Sequence, residues 1–272
     1  MPRRTGDFFS SPAFFLAALW SIRRRPRLAR LHRDRVGNEG CYHPDMIGVE
    51  CWGVLFDLDG VLIDSNPAVD RVWNVWAARH GFNADEVIRK AHGRPSQTTL
   101  REYLPEELVM EEHEELVRQE IADIEGIVPM PGVMQLLASI PAERWAIVTS
   151  GTYELATTRI RAAGLPTPRN LITASDIQRG KPDPEPYIKG AALLGFAARE
   201  CVVVEDAGAG VTAGKAAGAR VIGVRGPTES EATLRAAGAD WLVDSCADVT
   251  VEKNPAEKNR ENGALMLKIR TR

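Results

Sequence analysis

Two aspartates stand two residues apart in Asp57-Leu58-Asp59-Gly60, where the apolar run Trp52-Gly53-Val54-Leu55-Phe56 gives out. Strand side chains alternate between faces, so positions i and i+2 point the same way. Gly60 lets the backbone turn sharply or approach a ligand closely. Such a pair can bind a divalent cation, or one carboxylate can attack while the other carries a proton. A calcium loop of the EF-hand type is excluded, because Val61 stands where the next ligand belongs and Ala68 where the closing Glu belongs. A solvated turn would use the same residues, so the choice rests on the company the motif keeps along the chain.

Three further clusters supply that company. Thr149-Ser150-Gly151 lies between the apolar run Trp145-Ala146-Ile147-Val148 and a helical stretch. A hydroxyl, a flexible Gly and backbone N–H groups at a helix N-terminus make an anion site, most naturally for phosphate. A plain Ser/Thr helix cap would look the same locally. Gly180-Lys181-Pro182-Asp183-Pro184 presents one lysine from a stiff loop. Glu205-Asp206-Ala207-Gly208-Ala209-Gly210 ends the run Cys201-Val202-Val203-Val204 with a second acidic pair. Two acidic strand ends in one sheet repel unless a cation lies between them. Together these residues read as phosphoryl transfer assisted by Mg²⁺.

The elements that must position these clusters are legible as punctuation. After Asp64-Ser65, Asn66 can cap a helix and Pro67 suits its first turn. Val69, Val72, Trp73 and Trp76 fall at i, i+3, i+4 and i+7, one apolar helical face, and the tryptophans read as core. Asn83-Ala84-Asp85-Glu86 opens a second helix that stops near His92-Gly93. Pro105 to Glu125 is a long acidic helix with Leu108, Leu116, Ile121 and Ile124 inward and Glu111-Glu112-His113-Glu114-Glu115 as its solvated face. No strand signal lies between Asn66 and Met130.

After Pro129-Met130-Pro131-Gly132, short apolar runs alternate with Ala-rich helices, the pattern of a parallel sheet covered on both faces. The expected fold is α/β, a Rossmann-like parallel-sheet core (46–65 and 131–250) with an inserted all-helical cap domain (66–130). Ligands of such sheets bind beyond the carboxyl ends of the strands, where the clusters sit. In the tail, 251–272, the alternation of Ala264-Leu265-Met266-Leu267-Lys268-Ile269 with Val249-Thr250-Val251 predicts a terminal hairpin.

Composition bounds the rest. The chain has 272 residues, 26% of them charged, and a net charge of -3, which counts against nucleic acid as a partner. The cysteines Cys41, Cys51, Cys201 and Cys246 form no C-x-x-C pair, and Cys51 and Cys201 flank apolar runs, as buried thiols of a reducing, cytoplasmic compartment do. Residues 1–45 differ from the remainder, with nine arginines against four acids and an apolar patch from Ala13 to Trp20. The patch is too short for a membrane span and no small-x-small cleavage site comes after it. These residues are read as a poorly ordered extension, with translation starting at Met46 and the first strand a few residues later. A monomer is expected.

In order, Asp57 to Ser65, Thr149-Ser150-Gly151, Gly180 to Pro184 and Glu205-Asp206-Ala207 resemble the four motifs of the haloacid-dehalogenase superfamily, over roughly residues 50–250. The chain looks like the branch with a helical cap after the first motif, which holds sugar- and polyol-phosphate phosphatases and β-phosphoglucomutase. His92-Gly93-Arg94, Trp145 to Gly151, Gly180 to Tyr187 and Gly214 to Gly218 are especially similar to glycerol-phosphate, 2-deoxyglucose-phosphate and bacterial hexitol phosphatases.

The resemblance implies a phosphatase acting on a small phosphorylated metabolite. Asp57 would be the nucleophile and Asp59 the general acid and base. Thr149, the Ser150 N–H with Gly151, and Lys181 would hold the transferring phosphoryl oxygens. Mg²⁺ would be bound by Asp57, the Asp59 carbonyl and Asp206, with Glu205 a ligand or a partner one step away. Dehalogenases and phosphonate hydrolases of this fold lack a carboxylate at Asp59, which disfavours both. His92, Arg94, Ser96 and Gln97 lie on a cap turn that could select substrate; equally, Ser96 or Thr98 could simply cap the next helix. A phosphoglucomutase-type isomerase and an idle phospho-ligand binder are the competing readings.

Overall fold

Short apolar strands that bury both faces decide where the acidic motifs emerge. The computed structural model describes residues 46–91, 94–227, 229–252 and 263–271. The N-terminal extension, His92 and the polar stretch 253–262 lie outside the described residues. The chain is in strand from Met46 itself, earlier than expected: β1 is Met46–Cys51, followed by β2 (Gly53–Phe56) and the two-residue β3 (Ile63–Asp64). Four helices come next: α1 (Asn66–His80), α2 (Ala84–Ala91), α3 (Ser96–Leu100) and α4 (Glu106–Ala122). A second two-residue strand, β4 (Val128–Pro129), pairs antiparallel with β3. The expectation of no strand before Met130 therefore fails at Val128, because two residues ending in Pro carry no periodicity to read.

The remainder alternates: α5 (Val133–Ser139), β5 (Trp145–Val148), α6 (Tyr153–Ala162), β6 (Leu171–Ile172), α7 (Glu185–Leu193), β7 (Cys201–Glu205), α8 (Gly208–Ala216), β8 (Arg220–Val224), α9 (Glu231–Ala236) and β9 (Trp241–Val243). β6-β5-β2-β7-β8-β9 form one parallel sheet with β2 inside it. The α/β, Rossmann-like reading holds, with β9 as a strand too short to stand out in the sequence. Val54 and Phe56 face one core with Ile147, Val202, Val204 and Ile222. Leu55 faces the opposite core with Ala146, Val148, Val203 and Tyr187. Period-2 alternation thus fills both layers, and the strands read as continuous apolar runs for that reason.

At the chain's end, β10 (Val249–Glu252) and β11 (Leu265–Arg270) pair antiparallel, and β1 joins on the other side of β11 to make a three-stranded sheet. Leu267 and Ile269 are fully buried against the first core. β1 has no partner near it in sequence, so local patterning could not reveal this third strand.

The four helices between β3 and β4 close over their own core of Val72, Trp73, Trp76, Val87, Leu100, Val109 and Leu116. Three details differ from expectation. The N-cap of α1 is Ser65 and not Asn66, whose N–H bonds to Asp64 Oδ1 at 3.2 Å. On α4 the buried positions are Val109, Leu116 and Glu120, while Leu108 and Ile124 are exposed. Helix α4 ends at Ala122, so Ile124 is off its face altogether. Glu112 is not on a purely solvated face either: its Oε2 accepts from Trp76 Nε1 at 2.9 Å and pairs with Arg79.

Candidate active site

The sheet's carboxyl edge opens on a cavity of about 560 Å³ lined by both the parallel-sheet layer and the helices α1, α3 and α4. Leu58 is fully buried, which turns its neighbours Asp57 and Asp59 together toward the cavity. Both Leu62 and Ile63 return N–H bonds to the Leu58 carbonyl, at 2.9 and 3.0 Å, so the loop closes on itself. Gly60 takes φ +81°, and a Cβ there would lie 2.1 Å from Asp206 Oδ2. Gly60→Ala is expected to cost about 1–3 kcal/mol through the left-handed backbone alone. By displacing the Asp206 carboxylate it should also cut turnover about 100-fold. Thermal unfolding and phosphate-release kinetics check the two halves separately.

Lys181 reaches in from the loop before α7, its side chain 7% exposed. Its ammonium donates to Asp57 Oδ1, to Glu205 Oε1 at 2.7 Å and to the Val148 carbonyl at 3.0 Å. The Tyr187 hydroxyl donates to the same Glu205 oxygen at 2.7 Å, and the Ala207 N–H to Glu205 Oε2 at 3.0 Å. Glu205 thus accepts two protein donors on Oε1 and one on Oε2, and fixes Lys181. A Cβ at Gly210 would fall 1.7 Å from Glu205 Oε1, so the first turn of α8 admits this carboxylate only with glycine there.

Burial pushes the Asp57 carboxyl up to about 7 against the pull of Lys181, with Glu205 and Asp59 adding to the rise. Burial also lifts Asp206 well above the carboxylate range, with Glu205 and Asp57 contributing. Desolvation works against the Lys181 charge, but Asp57 and Glu205 outweigh it and hold the ammonium above its ordinary range.

Thr149 is buried, and its Oγ1 accepts the Gly151 N–H at 3.1 Å. The helix-capping task falls instead to Thr152, whose Oγ1 accepts from Leu155 N at 3.3 Å. Thr149 and Ser150 are left on the cavity wall at the N-terminal end of α6. On the opposite wall, Ser96 does not cap α3. Pro95 is its N-cap, and Ser96 Oγ pairs with His113 Nδ1 at 2.7 Å. Arg94 lines the cavity with its guanidinium bonded to Glu102 Oε1 at 2.7 Å.

Asp57, Glu205 and Asp206 each bring a carboxylate oxygen within 4.8 Å of the others. Among the described residues no hydrogen-bond donor engages the Asp206 carboxylate, although the residue is only 6% exposed. A buried, undonated carboxylate beside Asp57 is the donor chemistry a hard divalent ion takes, so the residues present fit Mg²⁺.

Sequence reasoning missed Arg159, Glu120, Tyr187 and His113. The first two had a signal. Arg159 stands four residues after Leu155 and three after Ala156 on the buried stripe of α6, and Glu120 four after Leu116 on that of α4. A charged residue on an apolar stripe needs a buried partner.

The arrangement is a parallel α/β sheet that gathers buried carboxylates and a fixed lysine at one strand edge. Residues 53–218 match the model of the haloacid dehalogenase-like hydrolases. The chain is 45% identical over 215 residues to hexitol phosphatase A of Escherichia coli K12, covering 76% of this chain and 97% of that protein. It is 35% identical over 219 residues to glycerol-1-phosphate phosphohydrolase 2 of Saccharomyces cerevisiae, covering 75% and 86%. A hydrolase from Pseudomonas syringae superposes with a TM-score of 0.65 at 25% identity, covering 72% and 94%. The chain belongs to the haloacid dehalogenase-like hydrolase family, among its phosphoric monoester hydrolases. No helix of the described residues is long and apolar enough to cross a membrane.

Proposed function

We propose that the protein is a Mg²⁺-dependent phosphatase for a small sugar or polyol monophosphate, working through an aspartyl-phosphate on Asp57. The observation that carries this reading is Asp57 and Asp59 side by side on the cavity with Lys181 bonded to Asp57. Asp57 attacks phosphorus while Lys181, Thr149 and the Ser150 N–H bind the equatorial oxygens; the Gly151 N–H, expected among them, is engaged by Thr149 Oγ1 instead. Asp59 gives its proton to the departing alkoxide, then takes one from the water that cleaves the acyl-phosphate. Asp57, Asp206 and the Asp59 carbonyl would hold the ion, which neutralises developing charge on the phosphoryl group. Glu205, held by Lys181, Tyr187 and Ala207, serves as the anchor for Lys181.

In this reading residues 66–130 are a cap, 46–65 and 131–250 the catalytic core, and the cap wall selects the substrate. That wall offers neutral groups. Arg101 is bound bidentately by Glu106 and Arg94 by a single bond to Glu102, while burial lowers His113 from its ordinary value and so favours the uncharged imidazole. Ser96, Gln97, Asn66 and His113 suit hydroxyls, and among the described residues the arginines of this wall, Arg94 and Arg101, are already paired with acids. The relatives named for hexitol and glycerol phosphates support the same class. A monomer in the cytoplasm fits a metabolite enzyme whose described cysteines Cys51, Cys201 and Cys246 are free and buried.

Inorganic phosphate release from a panel of hexitol, glycerol and sugar monophosphates, with matching bisphosphates, tests this. The expected result is release from monophosphates with kcat/KM at least about tenfold higher than for bisphosphates, since a buried unpaired charge costs well over 1.4 kcal/mol. Isomerised sugar phosphate without release would indicate a mutase, and binding without either product an idle binder.

A further inference from the structure

Arg159 is the buried cation that the proposed mechanism does not use. It projects from α6 with its side chain 6% exposed, and Nη1 donates to Asp59 Oδ1 at 2.9 Å. Nη2 faces Glu120 Oε2 at 3.4 Å, an ion pair from the core to helix α4. Glu120 is itself 9% exposed. The same Asp59 oxygen accepts the Ser65 hydroxyl at 2.6 Å, and Ser65 is the N-cap of α1. Asp59 Oδ1 is thus gripped by one donor from the core and one from the start of the helical segment. Its second oxygen is the one left for substrate.

The Glu120 side of the bridge is loose by comparison. Arg159 Nε and Nη2 are buried without a hydrogen-bond partner, so charge alone holds the guanidinium toward α4. An ion pair of this kind is often read as a structural tie between two layers. Here one end of the tie is the carboxylate that must face the leaving oxygen. Two points of the helical segment bear on Asp59, whose side chain is 33% exposed: Ser65 at the first helix directly, and Glu120 on the last through Arg159. A planar guanidinium keeps a fixed orientation between its two acidic partners, which a lysine cannot do.

We infer that Arg159 is a positioning residue for Asp59, and that Glu120 makes this positioning depend on how α4 is seated over the site. The inference rests on the proposed phosphatase mechanism, in which Asp59 transfers its proton to the alkoxide as the P–O bond breaks and the Asp57–phosphorus bond forms. With α4 seated, Glu120 keeps Arg159 turned so that Nη1 meets Asp59 Oδ1, and the free oxygen is aimed at the leaving group. The arginine touches no reacting atom.

The test compares Arg159→Lys and Glu120→Gln on two substrates. One is the polyol phosphate the wild type turns over fastest, whose alkoxide must be protonated as it leaves. The other is p-nitrophenyl phosphate, whose phenolate departs without a proton. Because kcat/KM reports steps through formation of the phospho-enzyme, Asp59's alignment matters to the first substrate and little to the second. Arg159→Lys should lower kcat/KM on the polyol phosphate about 100-fold, the range of one general acid. Glu120→Gln should lower it about tenfold. Losses on p-nitrophenyl phosphate should be at least about ten times smaller for Arg159→Lys. Equal losses on both substrates would reduce Arg159 to a structural tie, and no loss on either would make the contact idle. Glu120→Gln is nearly isosteric, so the same comparison of substrates decides the matter should Arg159→Lys fold poorly. A wild type that cleaves neither ester would overturn the proposed function itself, whereas a wild type that cleaves both with indifferent variants overturns this inference alone.

Discussion

Asp57→Asn is expected to lose phosphate release by about 10⁴-fold or more, the scale seen when a nucleophile is removed from an otherwise intact site. The amide is nearly isosteric but cannot form an acyl-phosphate. The fold should survive, because the position's contribution to structure is held elsewhere. The Asp57 N–H bonds to the Val204 carbonyl at 3.0 Å whatever the side chain, and Lys181 keeps Glu205 and the Val148 carbonyl as acceptors. Two electrostatic effects oppose each other. Lys181 loses one anionic partner, while Glu205 and Asp59 lose a neighbouring like charge, the repulsion that adds to burial in lifting the Asp57 carboxyl to about 7. The thermal midpoint should therefore stay close to wild type while turnover disappears. Phosphate release measured beside circular dichroism melting separates the two. A folded Asp57→Asn protein with wild-type-like turnover would sink the mechanism.

Legibility in the sequence divides by the range of the interaction. Asp57 and Asp59, Thr149, Lys181, Glu205 and Asp206 stand out because they cluster in the loops that close apolar runs, and a parallel sheet gathers its strand ends on one edge. The described structure brings all six to one cavity. Glu205 is open in the sequence between ligand and partner, and only the tertiary contacts of Lys181, Tyr187 and Ala207 with its two oxygens favour the second role. Arg159 and Glu120 escape notice because a charged residue in a helix is ordinarily solvated. Their meaning depends on a contact 39 positions apart between α6 and α4, which no local pattern encodes. The placement of β1 beside β11 is hidden for the same reason.

Charge around the site leads to the second large effect. Asp57, Asp59, Glu205 and Asp206 put four carboxylates at the strand edge, Glu120 adds a fifth on the far side of Arg159, and Lys181 and Arg159 bring two cations to them. A divalent cation would offset most of the remaining charge, and among the described residues Asp206 is the carboxylate of the strand edge that no protein donor engages. Exhaustive chelation is accordingly expected to abolish turnover and added Mg²⁺ to restore it. Ca²⁺ should restore little, since it accepts looser and larger coordination than in-line transfer tolerates. Binding should also be visible without substrate. At a free Mg²⁺ concentration about 100 times its Kd, linkage adds about 2.7 kcal/mol to the folded state. For a domain of this size that is a rise of about 5–10 °C in thermal midpoint. Asp206→Asn should remove most of the rise while leaving Lys181 bonded to Asp57 and Glu205, because none of those bonds passes through Asp206. Full turnover after chelation would mean that the acidic cluster is neutralised by protein cations alone, and an Mg²⁺-induced thermal shift undiminished in Asp206→Asn would mean that the ion is held without Asp206.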